Sequence, residues 1–569
     1  MKFIFVYLKK YRYQALLAPL LKMLEAILDL LVPIIMAMII NTGIVNQDRN
    51  YIYKYSFLLV ILGLLGLSIS IIAQYFAAKA ACQTTADLRT SLFSKIQTLS
   101  FSQLDKLGTS SLINRCTTDL NQIQNGLNLF LRLFLRSPFI VFGSIVMAFI
   151  VSFKGGLVLL ITLPFLALVV FAIMLKSLPL YKNIQTNLDN LTSKVRQELT
   201  GIKVIRGFNK EKEENEQFSQ ETQGFQAKQE EVGKLSALMN PLTLVIIDLG
   251  IIVLLQVSGL QVNIGSLNQG EVIALVSYLN SILVELIKLA NLIIQLTKAL
   301  ACSKRVEEIL ELPNEQTSGR ESFVDNNSPL IFDSVSLSYA GFPALTNISF
   351  KLKPECSLGI IGGTGAGKSS LVSLLPRYYD QTEGNISLFG KDLNNYDLKE
   401  LRKKIIVIPQ NNTLFAGTIR ENLKLGNLAA SDEELRKALR IAQADFILSS
   451  SNGLDSIVEP NGLNYSGGQR QRLCIARALV AKPKILILDD STSALDYGTD
   501  AALRKELNKL KITLIIVSQR CNSIKDCDQI LVLDQGNLTA QGTHAELMHN
   551  CPIYAEIYES QIGKELSNA

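Results

Sequence analysis

The sequence predicts two parts of different fold class: an all-α membrane domain of six helices, followed by an α/β domain built around a phosphate-binding loop. The 569-residue chain has 48% hydrophobic residues and a mean hydropathy of +0.26, a positive average that few soluble proteins of this length show. The long apolar runs lie in the first 300 residues, and a glycine-rich phosphate-binding motif lies in the more polar remainder. These observations exclude a purely soluble enzyme.

Six segments are long and apolar enough to cross a bilayer, which takes about 20 residues in helical conformation. The first follows a basic N-terminal stretch, exceeds the length of a signal peptide and lacks a small-residue cleavage site, so we expect a membrane span there. The polar residues after the sixth segment indicate a linker. The predicted spans are 15–40, 56–78, 129–151, 156–178, 239–261 and 271–298. The predicted domains are a transmembrane domain at 1–300, a linker at 301–329 and a second domain at 330–569.

Lys and Arg residues are frequent in the two long connections between spans, about 79–128 and 179–238. Basic connections stay on the cytoplasmic side, so we expect a multi-pass plasma-membrane protein with both chain ends in the cytoplasm. Apolar residues recur at helical spacing in both connections, which predicts helices that continue beyond the lipid bilayer. The net charge of +6, from 56 basic and 50 acidic residues, is too diffuse for a nucleic-acid surface, so no nucleic-acid partner is predicted.

Several ionisable residues fall inside the predicted spans, where a charge is costly and by default indicates a water-filled path or a substrate site. Two interpretations stay open, a substrate path or a structural role; neither is preferred for the two aspartates, whereas internal ion pairs between lysines and glutamates one helical turn apart better explain the other residues. We interpret Arg132 and Arg136, near the inner end of the third span, as anchors at the membrane interface. The ionisable residues within the spans are Lys22, Glu25, Asp29, Asp248, Glu285 and Lys288.

Histidine and cysteine usage limits the chemistry of the chain. The only histidines are His544 and His549, which excludes histidine-ligated metal sites and Ser-His-Asp catalysis elsewhere. The eight cysteines show no C-x-x-C spacing, and none falls in a connection that we place outside the membrane. Free thiols in a reducing cytosol are therefore predicted.

Residues 362–369 read G-G-T-G-A-G-K-S and match the phosphate-binding pattern G-x-x-x-x-G-K-[ST]. An apolar run, Ser357–Ile361, precedes the motif and a helical pattern follows it, which is the context that the motif requires. The amides of such a loop and the helix N-terminus hold phosphates; Lys368 is expected at the β- and γ-phosphates and Ser369 on Mg²⁺. The predicted nucleotide-binding residues of this loop are Gly362, Gly363, Thr364, Gly365, Ala366, Gly367, Lys368, Ser369 and Ser370.

Two further motifs lie downstream of the phosphate loop. The apolar run Lys484–Leu488 ends at Asp489 and Asp490, and an aspartate at the end of a buried strand is the usual Mg²⁺ carboxylate beside a phosphate loop. Between the two motifs, a helical stretch rich in Arg begins with a glycine-containing sequence, which predicts another phosphate-recognising helix N-terminus. That sequence is Tyr465, Ser466, Gly467, Gly468 and Gln469.

The order of the motifs is a phosphate loop, then S-G-G-Q, then an apolar strand that ends in Asp, then Ser493-Ala494-Leu495-Asp496. This order resembles the ATP-binding cassette (ABC) superfamily, and six spans before one cassette resemble a half-transporter of the exporter type. The resemblance covers the whole chain and implies an exporter-type membrane domain, an ABC nucleotide-binding domain, ATP and Mg²⁺ as cofactors, and ATPase activity coupled to transport. Stretches near Leu99–Lys106 and Thr200–Phe208 resemble the coupling helices that dock on the cassettes.

The resemblance also implies roles for single residues within one cassette. Tyr339 is similar to the aromatic that stacks on adenine, although a strand tyrosine within a sheet is an alternative explanation. Gln410 is similar to the glutamine that meets Mg²⁺ and reports the nucleotide state to the membrane helices. The implied Mg²⁺ set is therefore Ser369, Gln410 and Asp489.

Other implied roles lie across a dimer of cassettes. Ser466, Gly467 and Gln469 are similar to the signature residues that contact the γ-phosphate of ATP on the opposite cassette, with Tyr465 in place of the usual leucine. Asp496 is expected at the seam of the dimer.

Two positions depart from the family pattern. Asp490 stands where the family has its general-base glutamate, and the missing methylene draws the carboxylate back by roughly 1.5 Å, which can cost about a hundredfold in rate. Gln519 stands where the family has its switch histidine, and an amide cannot carry the charge or the proton of an imidazole. This phosphate-loop site is therefore predicted to bind ATP and to hydrolyse it poorly.

A degenerate catalytic site beside a retained signature predicts a heterodimer. The expected partner is a second ABC half-transporter with Glu and His at the catalytic positions, as in heterodimeric bacterial multidrug exporters, which this chain resembles through their less active subunit. The acidic residues in the spans favour a small amphipathic substrate, cationic drugs above all. Alternatives are a lipid or peptide exporter, or a regulatory ATP-sensing or gating membrane subunit. The soluble cassette ATPases of DNA repair or translation share the motifs but lack the six spans.

Overall fold

A computed structural model describes residues 2–313, 319, 321, 328–339, 341–491 and 494–568, without the side chains of 2 and 562–568. The chain forms two compact units, one of Met1–Thr98 and Leu107–Pro313 and one of Leu99–Lys106 and Asn314–Ala569. The predicted linker at 301–329 begins inside the last helix of the first unit, and most of its later part lies outside the described residues, as does Ser493.

Six long helices form the described part of the first unit, and each contains an apolar stretch suited to a membrane span. Each has 42–53 residues, which corresponds to roughly 60–80 Å at 1.5 Å per residue, about twice the hydrocarbon thickness of a bilayer. The six predicted spans and their extension beyond the bilayer are therefore confirmed. The long helices are Phe3–Ile44, Arg49–Ile96, Thr109–Val151, Phe153–Thr200, Glu211–Asn263 and Gln269–Glu311.

Short irregular turns divide some of the long helices into separate elements. Two of these turns are π-helical, at Ile39–Ile44 and Arg115–Asp119. The α-helical elements up to Glu311 are α1 (Lys2–Leu8), α2 (Arg12–Met38), α3 (Arg49–Ile96), α4 (Phe101–Leu107), α5 (Thr109–Asn114), α6 (Leu120–Leu133), α7 (Arg136–Val151), α8 (Phe153–Thr200), α9 (Ile202–Gly207), α10 (Glu211–Ala237), α11 (Met239–Asn263) and α12 (Gln269–Glu311).

Small residues and one buried tyrosine hold the helices of the first unit together. Gly126 of α6 lies so close to α12 that a Cβ on it would be 2.3 Å from the Cβ of Ala299, as expected where membrane helices approach through small side chains. Tyr278 is fully buried, and its hydroxyl donates to the carbonyl oxygen of Leu30 at 2.7 Å. Large apolar residues such as Phe57 and Leu64 point outward from α3, which suits contact with lipid.

The second unit is an α/β domain with three sheets. Strands β2, β1, β4 and β5 form an antiparallel sheet, β12, β11, β3, β10, β9 and β6 form a mostly parallel one, and β7 pairs with β8. This architecture confirms the predicted fold class. The strands are β1 (Leu330–Tyr339), β2 (Phe342–Leu352), β3 (Ser357–Gly362), β4 (Glu383–Leu388), β5 (Lys391–Asp392), β6 (Ile405–Ile408), β7 (Gly417–Thr418), β8 (Ile457–Val458), β9 (Ile485–Asp489), β10 (Thr513–Val517), β11 (Gln529–Asp534) and β12 (Asn537–Gly542).

The helices of the second unit begin where the sequence places its motifs. The helix α13 starts inside the phosphate loop, and α18 starts inside the S-G-G-Q sequence. The helices after β3 are α13 (Lys368–Leu374), α14 (Leu398–Lys404), α15 (Ile419–Lys424), α16 (Asp432–Ile441), α17 (Asp445–Leu448), α18 (Gly467–Val480), α19 (Tyr497–Leu507), α20 (Cys521–Ile524), α21 (His544–Asn550) and α22 (Pro552–Asn568).

The order of the parallel strands decides where the motifs meet. Strand β10 pairs in parallel with β3 on one side and with β9 on the other, so that Val517 faces both Ile360 and Asp489. The carboxyl ends of these three strands therefore lie at one edge of the sheet, which is where α/β proteins bind their ligands. The phosphate loop follows β3, the two aspartates end and follow β9, and Gln519 follows β10.

Candidate functional site

The phosphate loop connects β3 to α13. Lys368 is buried, and its Nζ donates to the carbonyl oxygens of Gly362 and Gly363 at 2.8 and 2.7 Å. Gly367 has φ +91°, and a Cβ there would lie 2.7 Å from the carbonyl oxygen of Ala344, so only glycine fits. Burial lowers the pKa of Lys368, while the nearby Asp490 raises it. The loop thus holds a cation among backbone groups, as phosphate binding requires.

The hydroxyl of Ser369 donates to Oδ1 of Asp489 at 3.0 Å, so the ends of β3 and β9 bring together two of the three predicted Mg²⁺ residues. Burial raises the pKa of Asp489, and the charge of Asp490 raises it further. A hydroxyl and a carboxylate are hard oxygen ligands that suit Mg²⁺, which usually takes few protein ligands together with phosphate oxygens. The pair therefore fits the ion.

Asp490 directly follows β9 in a left-handed backbone conformation, with φ +48°. Its amide donates to the carbonyl oxygen of Val517 at 3.0 Å, and its Oδ2 accepts from Nε2 of Gln410 at 3.2 Å. Burial raises the pKa of Asp490, although the charges of Lys368 and Arg520 act in the opposite direction. The structure thus brings Gln410 to Asp490, while Ser369 contacts Asp489.

Gln519 lies two residues after β10 and is exposed, whereas Ser518 beside it is buried. The hydroxyl of Ser518 accepts from the amide of Arg520 at 2.9 Å. The guanidinium of Arg520 donates to the carbonyl oxygen of Leu495 at 3.3 Å and lies 5.4 Å from the ring centre of Tyr497. Sequence reasoning missed Arg520, although a cation directly after the switch position was a usable signal.

The signature residues cap a helix. The hydroxyl of Ser466 accepts from the amide of Gln469 at 3.3 Å, and Oε1 of Gln469 accepts from the amide of Ser466 at 2.9 Å, a reciprocal capping box at the start of α18. Tyr465 is half-buried beside Phe446, with ring centres 6.3 Å apart. Gly468 passes close to the carbonyl oxygen of Ala494, to which a Cβ would lie 3.0 Å away. The exposed Ser466 hydroxyl and the amides of the first helical turn that the capping box does not use leave this end suited to an anion.

Tyr339 and Asp496 lie at the ends of secondary-structure elements. Tyr339 ends β1 and is 36% exposed, with its ring edge-on to Tyr379 at 5.0 Å between centres. Asp496 is the exposed N-cap of α19 and accepts from the amide of Thr499 at 2.9 Å, which lowers the pKa of Asp496. Both residues have an evident local role, and their roles toward a nucleotide stay predictions.

The two stretches that resemble coupling helices are both short helices. The stretch Leu99–Lys106 groups with the second unit: the ring of Phe101 lies 4.3 Å from that of Tyr378, and Asp105 accepts a hydrogen bond from the hydroxyl of Tyr379. The stretch Thr200–Phe208 contains α9 and belongs to the first unit.

Ion pairs connect three of the membrane-spanning helices. Arg136 contacts Asp29 at 2.8 Å, Glu285 at 2.9 Å and Glu25 at 3.7 Å. The placement of Arg136 as an interface anchor is therefore wrong, because its side chain is only 12% exposed and is held by carboxylates from two other helices. The three residues lie at a similar depth along their helices. Asp29, Arg136 and Glu285 are each roughly 23 Å from the end of their own helix that lies on the same side of the unit as Ile44.

The predicted internal ion pairs are confirmed. Lys22 pairs with Glu25 at 2.6 Å, and Lys288 with Glu285 at 2.8 Å. Asp248 of α11 differs from these residues, because it is exposed and makes no ion pair within the described part of the chain. All eight cysteines are free thiols.

The structure has the parts of an ATP-driven membrane transporter with half-transporter architecture. These parts are the helical unit, the phosphate loop, the Ser369–Asp489 pair and the signature helix. Two family profiles agree: the ABC transporter transmembrane region matches residues 15–286, and the ABC transporter family matches residues 345–493. The chain belongs to the ABC transporter family, and it is a multi-pass protein of the plasma membrane.

Individual relatives resemble the chain over almost its full length. An uncharacterized ABC transporter ATP-binding protein of Bacillus subtilis, YfiB, is 34% identical over 99% of both chains. The ATP-dependent lipid A-core flippase of Salmonella typhimurium is 29% identical over 92% of this chain and 91% of its own. The solved structure of a bacterial Atm1-family ABC exporter with ATP bound superposes with a TM-score of 0.81 at 23% identity, over 97% of this chain and 98% of its own, which shows the shared fold.

The pKa of Asp490 is raised and that of Asp496 is lowered, so pH and removal of the charge should change the stability of the folded state in opposite directions at these two residues. A raised carboxyl pKa means that the folded state loses stability as pH rises through that pKa, whereas a lowered one means that stability is lost as pH falls below about 4. Without nucleotide at pH 7.5, Asp490→Asn is expected to raise the melting temperature by about 1–3 °C, with a gain that shrinks toward pH 5. The matched variant Asp496→Asn is expected to show no gain. Thermal unfolding at several pH values measures both, and an Asp490→Asn variant that is less stable than wild type at pH 7.5 contradicts the pKa direction.

Proposed function

We propose that the chain is one subunit of a heterodimeric ABC exporter, and that its own phosphate-loop site binds ATP but hydrolyses it slowly. The observation that carries this proposal is Asp490 at the end of β9, where a general base would stand. Its carboxylate is one methylene shorter than that of glutamate, is hydrogen-bonded by Gln410 and lies in the field of Lys368 and Arg520. The hydrogen bond from Gln410 engages one of its oxygens, and the shorter side chain draws the carboxylate back from the place that a general base would take.

Different residues of the chain would bind different parts of the nucleotide. The phosphate loop and Lys368 would hold the phosphates, and Tyr339 would stack on the adenine. Ser369 and Asp489, with Gln410 beside them, would hold Mg²⁺, whose charge would offset that of the phosphates. Gln519 would donate a hydrogen bond to the γ-phosphate, but its amide cannot relay a proton. Binding is therefore supported by a full set of residues, and hydrolysis is not.

The retained signature would serve a competent site in the partner. Ser466, Gly467 and Gln469 begin α18 with an exposed hydroxyl and helix N-terminus, which would meet the γ-phosphate of ATP held by the partner's phosphate loop, with Asp496 at the seam. Closure of the two cassettes on ATP would turn the membrane helices outward, and hydrolysis in the partner would reset them. Both chain ends would be cytoplasmic.

We further propose a small amphipathic substrate, with cationic drugs as the first candidates. Asp29 pairs with Arg136, and of the acidic residues in the predicted spans Asp248 is the one that makes no ion pair in the described part of the chain. A lipid substrate is the second candidate, because a relative is named a lipid A-core flippase. A regulatory ATP-sensing subunit is the alternative from another class, because Asp490 and Gln519 would hold ATP without turnover.

The native mass of the complex tests the heterodimer. Tagged chain purified from its native membrane is expected to carry a second half-transporter with glutamate and histidine at the positions of Asp490 and Gln519. Mass spectrometry of the intact complex identifies both subunits. A homodimer of twice 62.9 kDa would contradict the proposal and favour the ATP sensor, because both sites would then be degenerate.

Restoring the longer carboxylate tests whether Asp490 limits hydrolysis. Asp490→Glu is expected to raise ATP turnover at this site by about tenfold, less than the full hundredfold because Gln519 still lacks a titratable group. Steady-state ATPase assays measure the gain in an assembled complex whose competent partner site has been inactivated, with Asp490→Asn as the control that has no base. Equal turnover of Asp490→Glu and wild type would show that this position does not limit the site.

Charge removal in the membrane helices tests the substrate class. Asp248→Asn is expected to lower transport of cationic dyes several-fold and to spare neutral dyes, since an unpaired carboxylate attracts a cation. Asp29→Asn is the matched control, because Arg136 already neutralises that carboxylate. Dye transport into inside-out vesicles measures both variants. Equal losses for cationic and neutral dyes would remove the charge argument.

A further inference from the structure

The helix α22 contacts the segment that carries Gln519. Gln561 is its contact residue: Oε1 accepts from the amide of Cys521 at 2.8 Å, and Nε2 donates to the carbonyl oxygen of Gln519 at 2.7 Å. Both bonds go to the backbone directly after β10. One side-chain amide therefore bridges the two residues that flank Arg520.

The beginning of α22 is firmly packed. Tyr554 is fully buried, and its hydroxyl lies 2.8 Å from Nδ1 of His544 in the preceding helix. Cys551, just before α22, is also buried. Gln561 lies seven residues after Tyr554, which places both on one face of the helix. The amide of Gln561 thus extends from a packed helix.

The segment held by Gln561 also contacts the loop after β9. Arg520 donates to the carbonyl oxygen of Leu495 and lies over the ring of Tyr497, beside Asp496. The side chain of Cys521 is buried, so an amide left without its partner there would cost free energy. The two bonds from Gln561 therefore favour one backbone position for residues 519–521.

We propose that Gln561 is a positioning residue for the nucleotide site: it fixes the backbone from which the Gln519 side chain reaches the γ-phosphate of ATP. This inference rests on the role proposed for Gln519. It adds that α22, which carries none of the cassette motifs, sets the preference of the site for ATP over ADP. ADP lacks the γ-phosphate, so its binding should not depend on Gln561.

The isosteric variant Gln561→Glu separates hydrogen bonding from packing. A glutamate keeps the size, the helix propensity and the acceptor for Cys521, but it loses the donor to Gln519 and places a carboxylate against a carbonyl oxygen. Gln561→Ala removes both bonds. Glu559→Gln is the matched control, since Glu559 is exposed on the same helix.

The experiment uses the full-length chain in lipid nanodiscs and measures equilibrium binding of a non-hydrolysable ATP analogue and of ADP, both with Mg²⁺. Gln561→Glu and Gln561→Ala are each expected to lower the analogue-to-ADP affinity ratio about fivefold, the worth of one hydrogen bond. ADP affinity and the Glu559→Gln variant should stay at wild-type values. Hydrogen exchange of the peptide that contains residues 518–522 should become faster in Gln561→Ala. Combining Gln519→Ala with Gln561→Ala should cost no more than Gln519→Ala alone.

The outcomes separate the two proposals. A wild-type affinity ratio in Gln561→Glu, or unchanged hydrogen exchange in Gln561→Ala, would overturn the positioning role of Gln561. A lowered affinity ratio in Gln519→Ala would still support the role of Gln519 in that case. A wild-type ratio in Gln519→Ala itself would overturn the role of Gln519, and with it the positioning role of Gln561.

Discussion

The parallel pairing of β10 with both β3 and β9 is the constraint on which the nucleotide site depends. The phosphate loop lies more than a hundred residues before the two aspartates and the Gln519 segment, and this strand order brings all three to one edge. The backbone bond from Asp490 to Val517 continues the pairing beyond the end of β9. A site built on strand ends inherits the rigidity of the sheet, which suits residues that must meet a phosphate within a few tenths of an ångström.

The degeneracy of the site involves more than two exchanged residues. The shorter carboxylate of Asp490 also accepts a hydrogen bond from Gln410 and has two cations near it, Lys368 in the phosphate loop and Arg520 in the segment after β10. The donor engages one oxygen of the carboxylate, and the missing methylene holds the group back from the reacting water. The same surroundings favour a bound, negatively charged nucleotide. The proposed loss of turnover thus has a geometric cause, and the proposed retention of ATP an electrostatic one.

The sequence predicted the six membrane helices, the α/β class, the phosphate loop and the strand-end aspartates, because each leaves a local pattern of hydropathy or of glycine spacing. The pairing of Arg136 with Asp29 and Glu285 could not be predicted, since it joins helices more than a hundred residues apart and no local pattern encodes it. The contact of Gln561 with Gln519 could not be predicted either, since the two residues are 42 positions apart in different elements and no local pattern encodes their contact. Lys22 with Glu25 could be predicted, because residues three apart on a helix are neighbours.

The length of the membrane helices has a mechanical consequence. Each helix is roughly 60–80 Å long, whereas the hydrocarbon layer is about 30 Å thick, so some 30–50 Å of helix lies outside it. A rod that tilts by about 10° within the bilayer displaces the tip of a 35 Å extension by about 6 Å, close to the pitch of one helical turn. The extensions therefore amplify rotation: a small angular change around the packed Tyr278 corresponds to a displacement of about one helical turn at the far end of the helix.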